Sequence, residues 1–262
     1  MNLEKTKPIH ALLSALNHIR AQPFLLVVSS IIDAFFFIAY GFLTTPVLDR
    51  IVAQSVLITN ELGKAWAAGP TAGLLKLLIL DPIKPLTGKL LILLGILFIV
   101  TFLVWVIFQG SSWYFCRHLA KKPVSYKKYL LGFARINLIW IAAYILYKLL
   151  DAIIGLRFVL IKKFEPAAIN ILGTALDALF VLLIITALYS YPSLRELALF
   201  RKKITHTLAH LALCATLYFA STFSINQIAK IHLEAGFIAG VVILFPIITL
   251  IKTYTIEMAF DK

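Results

Sequence analysis

The stretch LLILLGILFIVTFLVWVIFQG, residues 90–110, runs for 21 residues without an Asp, Glu, Lys, Arg or His. As a helix it would be about 31 Å long at about 1.5 Å per residue, close to the roughly 30 Å of bilayer hydrocarbon. In hydrocarbon a chain must satisfy its own backbone groups, so the run reads as a membrane-spanning helix. It lies inside an uncharged run that continues to Cys116.

Five more stretches read the same way. Residues 24–45 are interrupted only by Asp33. Residues 136–161 carry Lys148, Asp151 and Arg157. Residues 168–191 contain Asp177. Residues 205–225 have no Asp, Glu, Lys or Arg, and residues 235–254 hold Pro246 as an expected bend. At about 39 Å the 136–161 helix would overrun the hydrocarbon. Its outer end is therefore placed beyond the core, with Lys148 and Asp151 at the boundary, where a lysine stem can lie along apolar surface. The expected fold class is all-α: a polytopic integral membrane protein with six transmembrane helices in one membrane domain.

Composition agrees. Of 262 residues 61% are hydrophobic and 14% are Asp, Glu, Lys or Arg, against about 45–50% and about 25% in soluble domains. A cytosolic enzyme, a disordered tail and a small disulfide scaffold are excluded. Cys116 and Cys214 fall at different expected depths and neither belongs to a CxxC pair, so no disulfide or metal site is read from them. The first 20 residues, interrupted by Glu4, Lys5, Lys7, His10 and His18, do not resemble a cleavable signal. The first span is read as a retained anchor.

The net charge is +13, and the basic residues set the orientation. With the N-terminus inside, the short inner loops carry Arg117, Lys121, Lys122, Lys127, Lys128 and Arg135, then Arg195, Arg201, Lys202 and Lys203. The short outer loops carry only Arg157, Lys162, Lys163 and Lys230. Basic loops stay cytoplasmic, so a multi-pass protein of the cell membrane with both termini cytoplasmic is expected. Arg117, Lys121, Lys122, Lys127, Lys128, Arg201, Lys202 and Lys203 would form an inner collar for anionic lipid headgroups or a cytoplasmic protein. No base-reading motif accompanies them, so nucleic acid is not an expected partner.

Two segments read as helices on the membrane surface. Residues 7–20 place Ile9, Leu12, Leu13, Leu16 and Ile19 on one face, which predicts an amphipathic interfacial helix. Residues 46–88 form the longest outer connection, a pair of short helices around Gly69-Pro70. That pair either rests on the interface or re-enters the membrane, and Glu61, Lys64 and Lys76 favour the surface.

Three helices share a short pattern, Ile32-Asp33-Ala34-Phe35, Leu150-Asp151-Ala152-Ile153 and Leu176-Asp177-Ala178-Leu179. Two inverted three-helix halves, as in many transporters, would produce it. So would the shared composition of apolar helices.

The intramembrane acids carry the functional reading. A carboxylate in hydrocarbon faces protein or water. Asp33, Asp177, Lys148 and Asp151 are accordingly expected along a translocation path, with Lys148 and Asp151 near an outer gate. The structural alternative is interhelical hydrogen bonding, worth about 1 kcal/mol. His206 and His210, one turn apart, lack the further ligands of a zinc site. No phosphate loop, HExxH, GxSxG or kinase motif is present, so no catalytic residue and no cofactor is read. The expected function is transport or permeation of a small solute or ion. The alternative is a membrane scaffold or accessory subunit that uses its basic collar.

Overall fold

The computed structural model describes residues 7–67, 83–164, 170–194 and 204–260. Among them the chain is helical, with no strand. Its elements are α1 (Lys7–Ala21), α2 (Pro23–Ala67), α3 (Lys84–Val104), α4 (Gly110–Leu119), α5 (Tyr126–Phe164), α6 (Ile171–Ser193), α7 (Ile204–Ile231), α8 (Leu233–Ala239) and α9 (Phe245–Phe260). A π-helical turn, Trp105–Gln109, joins α3 to α4, and another, Gly240–Leu244, joins α8 to α9.

Six helical stretches among the described residues are long and apolar enough to cross a membrane: Pro23–Glu61, Lys84–Leu119, Tyr126–Lys148, Ile171–Ser193, Thr205–Ile231 and Glu234–Phe260. Large apolar side chains stand exposed along them, including Phe42, Ile92, Ile171 and Phe237. Apolar surface on this scale suits lipid rather than water. The architecture is compatible with a multi-spanning membrane protein.

Three boundaries differ from the sequence reading, each for a physical reason. Helix α2 does not stop at residue 45 but continues through Pro46 to Ala67. A proline forfeits one backbone bond, and no turn-forming cluster follows to favour an exit. Hydroxyls add bonds around it: Thr44 Oγ1 donates to the Tyr40 carbonyl at 2.6 Å and Ser55 Oγ to Ile51 at 2.8 Å. Helix α5, which contains the expected 136–161 span, begins ten residues before it at Tyr126 and runs to Phe164. The last helix runs on past residue 254 to Phe260, so Lys252 lies well within it rather than near its end. The Gly69-Pro70 tip and Lys76 of the outer connection, Arg195 and the Arg201, Lys202 and Lys203 part of the collar lie outside the described residues.

The chain divides into two compact units, Phe35–Trp105 and the remainder. In the first, Gln54 Nε2 donates to the Leu86 carbonyl at 3.1 Å, and the Phe36 and Trp105 rings meet edge to face at 5.3 Å. In the second, α1 packs along α9. It buries Pro8, Ala11 and Ala15; the two alanines, with Leu12 beside them, are set against Cys214, Tyr254 and Met258. Leu13, on the predicted apolar stripe, is exposed.

Candidate functional site

Helix α2 carries Ser29, Ser30 and Asp33 at three- and four-residue spacing, hence on one face. The π turn before α4 delivers Gln109, and Ser112 and Cys116 follow at the same spacing. Helix α9 contributes Thr249, Lys252 and Thr253. All of these side chains are buried, and they converge on one polar cluster within the larger unit.

Its centre is an ion pair. Lys252 Nζ donates to Asp33 Oδ1 at 2.6 Å and Oδ2 at 2.9 Å. It also donates to Gln109 Oε1 at 2.9 Å and Ser112 Oγ at 2.7 Å. An ammonium has three N–H donors: one is shared by the two carboxylate oxygens, and the other two reach Gln109 and Ser112. The Gln109 amide closes the ring by donating to Asp33 Oδ1 at 3.0 Å. The Trp113 ring faces the ammonium at 5.9 Å, a cation–π contact. Asp33 is 1% exposed and Lys252 5%.

Hydroxyls extend the cluster. Ser112 Oγ lies 3.0 Å from Ser29 Oγ. Thr249 Oγ1 lies 3.3 Å from both Ser29 Oγ and Ser30 Oγ, and Cys116 Sγ lies 3.4 Å from Ser29 Oγ. The glycine at 110 lets α4 and α5 approach: a Cβ there would stand 2.8 Å from Leu130 Cδ1 and 3.1 Å from Phe133 Cδ1.

A buried pair of this kind is not explained by stability. Removing two charges from water costs several kcal/mol each, and apolar residues of equal volume often do as well. What the arrangement offers is a charge that can be exchanged. A proton or small cation reaching Asp33 would compete with Lys252, and Gln109 and Ser112 could hold the ammonium once released.

The remaining predicted path residues lie elsewhere. Asp177 is exposed on α6 and accepts from the Tyr147 hydroxyl at 3.2 Å, while the Tyr147 ring stacks on Phe180 at 4.0 Å. Lys148 and Asp151 pair at 3.6 Å, both about half exposed. These three belong to the α5 and α6 neighbourhood, and none hydrogen-bonds to the Asp33 cluster. The structure therefore does not bring Asp33 and Asp177 together.

The described residues of the predicted collar differ in their contacts. Arg117 is a clamp: Nε donates to the Lys122 carbonyl and Nη1 to the Pro192 carbonyl, both at 3.0 Å, and the guanidinium faces the Phe260 ring at 5.0 Å. Lys121, Lys122, Lys127 and Lys128 are exposed. His210 is buried, with the Tyr189 hydroxyl 2.6 Å from Nδ1 and Thr255 Oγ1 3.2 Å from Nε2. Among the described residues no three His, Cys, Asp or Glu side chains gather as a metal site would need.

Sequence reasoning named Asp33 and missed its partners. Lys252 falls within the expected 235–254 span but was not singled out there. A signal was present: Asp33 lies ten residues past the start of α2, and Lys252 eight before the end of α9. Those are depths of about 15 and 12 Å along helices, so a cation of matching depth was there to be counted. No family model matches the chain, and no curated protein or solved structure resembles it significantly.

Proposed function

We propose that this chain is a multi-spanning transporter or permease for a small solute or ion, with both termini cytoplasmic, and that Asp33 and Lys252 form its charge-exchange site. The observation that carries the reading is the sealed ring of Asp33, Gln109, Ser112 and Lys252. Ionisable groups held inside a membrane bundle mark ion pathways and proton relays as a rule. Sealed as it is, the ring corresponds to an occluded state. Release requires α9 to part from α2, and π turns, which often sit at functional sites, adjoin the moving parts at Trp105–Gln109 and Gly240–Leu244. Asp177, Lys148 and Asp151 stand apart from this ring and would act at an entrance.

The test is flux. The full chain is reconstituted in vesicles that hold a pH-sensitive dye, and a potassium diffusion potential is imposed. Proton entry above that of empty vesicles is expected, reduced at least tenfold by Asp33→Asn. Vesicles no leakier than empty ones, or undiminished entry through D33N, would overturn the proposal. The first of those results favours the scaffold reading.

A further inference from the structure

Beside the sealed ring, and separate from it, the larger unit carries an open groove of about 560 Å³, within the size range of small-molecule and lipid-chain sites. Its walls are apolar, from Ile32, Ile107, Phe108 and Phe115. Its polar lining is Tyr114 and a hydroxyl pair, Ser111 Oγ and Tyr126 Oη, 2.9 Å apart. Tyr126 opens α5, and the next two residues are Lys127 and Lys128, both exposed. Lys121 and Lys122, also exposed, lie on the connection just before.

The charge around this groove is one-sided. No acidic residue occurs between Asp81 and Asp151, a stretch holding nine Lys and Arg. The first turn of α5 contains no acid, and of the nearest acids elsewhere Asp33 is already committed to Lys252. Exposed lysines that directly follow the groove residue Tyr126 in sequence thus suit an anion that comes attached to a hydrocarbon chain. Each lysine near an anionic surface is worth about 1 kcal/mol of attraction, and a buried chain adds about 0.8 kcal/mol per CH₂.

We infer that this groove is a binding site for one anionic phospholipid. An acyl chain lies against Ile32, Ile107, Phe108 and Phe115. The glycerol ester region meets Ser111 and Tyr126, and Lys127 and Lys128 hold the phosphate. The site requires no transport activity, and its failure would leave the charge-exchange reading standing.

The test uses the full chain, delipidated in detergent and examined by native mass spectrometry after addition of phosphatidylglycerol or phosphatidylcholine. Wild type is expected to retain one phosphatidylglycerol with at least tenfold preference. The double variant Lys127→Gln/Lys128→Gln should retain either lipid equally. Ile107→Trp, a change at a half-exposed position that fills the groove, should lose the retained copy of both. Glycerol phosphate, the headgroup without chains, should not compete. Equal retention by wild type, unchanged preference in the lysine variant, retention by I107W, or displacement by glycerol phosphate would each overturn the inference. Unaltered elution on gel filtration confirms that the variants fold.

Discussion

Asp33 and Lys252 each depend on the other's charge. Removing one partner of a buried pair leaves an uncompensated ion and costs about 3–5 kcal/mol, whereas replacing both by apolar side chains is often neutral. Asp33→Asn and Lys252→Met are each expected to lower the thermal midpoint in detergent, followed by tryptophan fluorescence, while the double variant Asp33→Leu/Lys252→Met returns close to wild type. Two single variants as stable as wild type would show that the pair is not sealed. Gln109→Leu removes one donor and one acceptor from the ring and should cost about 1–3 kcal/mol. At this scale the sequence was legible in part. An acid in a run such as residues 24–45 announces itself by its cost, which is how Asp33 was found. Asp177 stands out equally in sequence yet lies exposed beside Tyr147, because hydropathy says that a residue is on a spanning helix and not which way the helix faces.

The elements show a related limit. For α1 the visible stripe was Ile9, Leu12, Leu13, Leu16 and Ile19; Leu12 does pack on the cluster with α9, but the residues fully buried there are Ala11 and Ala15. Close helix contact in membrane proteins selects small residues, and a count of large apolar side chains passes over them. Ala15 is fully buried, so Ala15→Leu should overpack the α1 and α9 contact and cost about 1–3 kcal/mol, while Leu13→Ala, at an exposed position, should change the thermal midpoint little. An Ala15→Leu protein as stable as wild type would mean that α1 does not hold this position. The same physics explains Gly110, whose missing side chain admits Leu130 and Phe133. It explains the late end of α9 too: polar residues that pack on protein, such as Thr249, Thr253 and Thr255, need not lower a helix's place in the bundle, although they end an apolar run on paper.

For the whole molecule, the six helices long and apolar enough to cross a membrane among the described residues were legible, because apolar runs of about 20 residues have no other stable fate in lipid. How the helices meet was not, since contacts such as Asp33 with Lys252 and Gln109, or Ser29 with Ser112 and Thr249, join residues far apart in sequence. The orientation proposed from the basic loops puts both termini inside. A cysteine placed at Lys122 should react with a membrane-impermeant thiol reagent only after the cytoplasmic face is opened, and one at Lys230 should react in intact cells; the reverse pattern would invert the topology.

Whether the buried charges exchange or only bind helices together is decided most directly by proton entry into vesicles that contain Asp33→Leu/Lys252→Met. This variant keeps the packing and removes the charges. A stably folded double variant with no entry above empty vesicles is the result predicted by charge exchange. Entry equal to wild type through that same variant would contradict it.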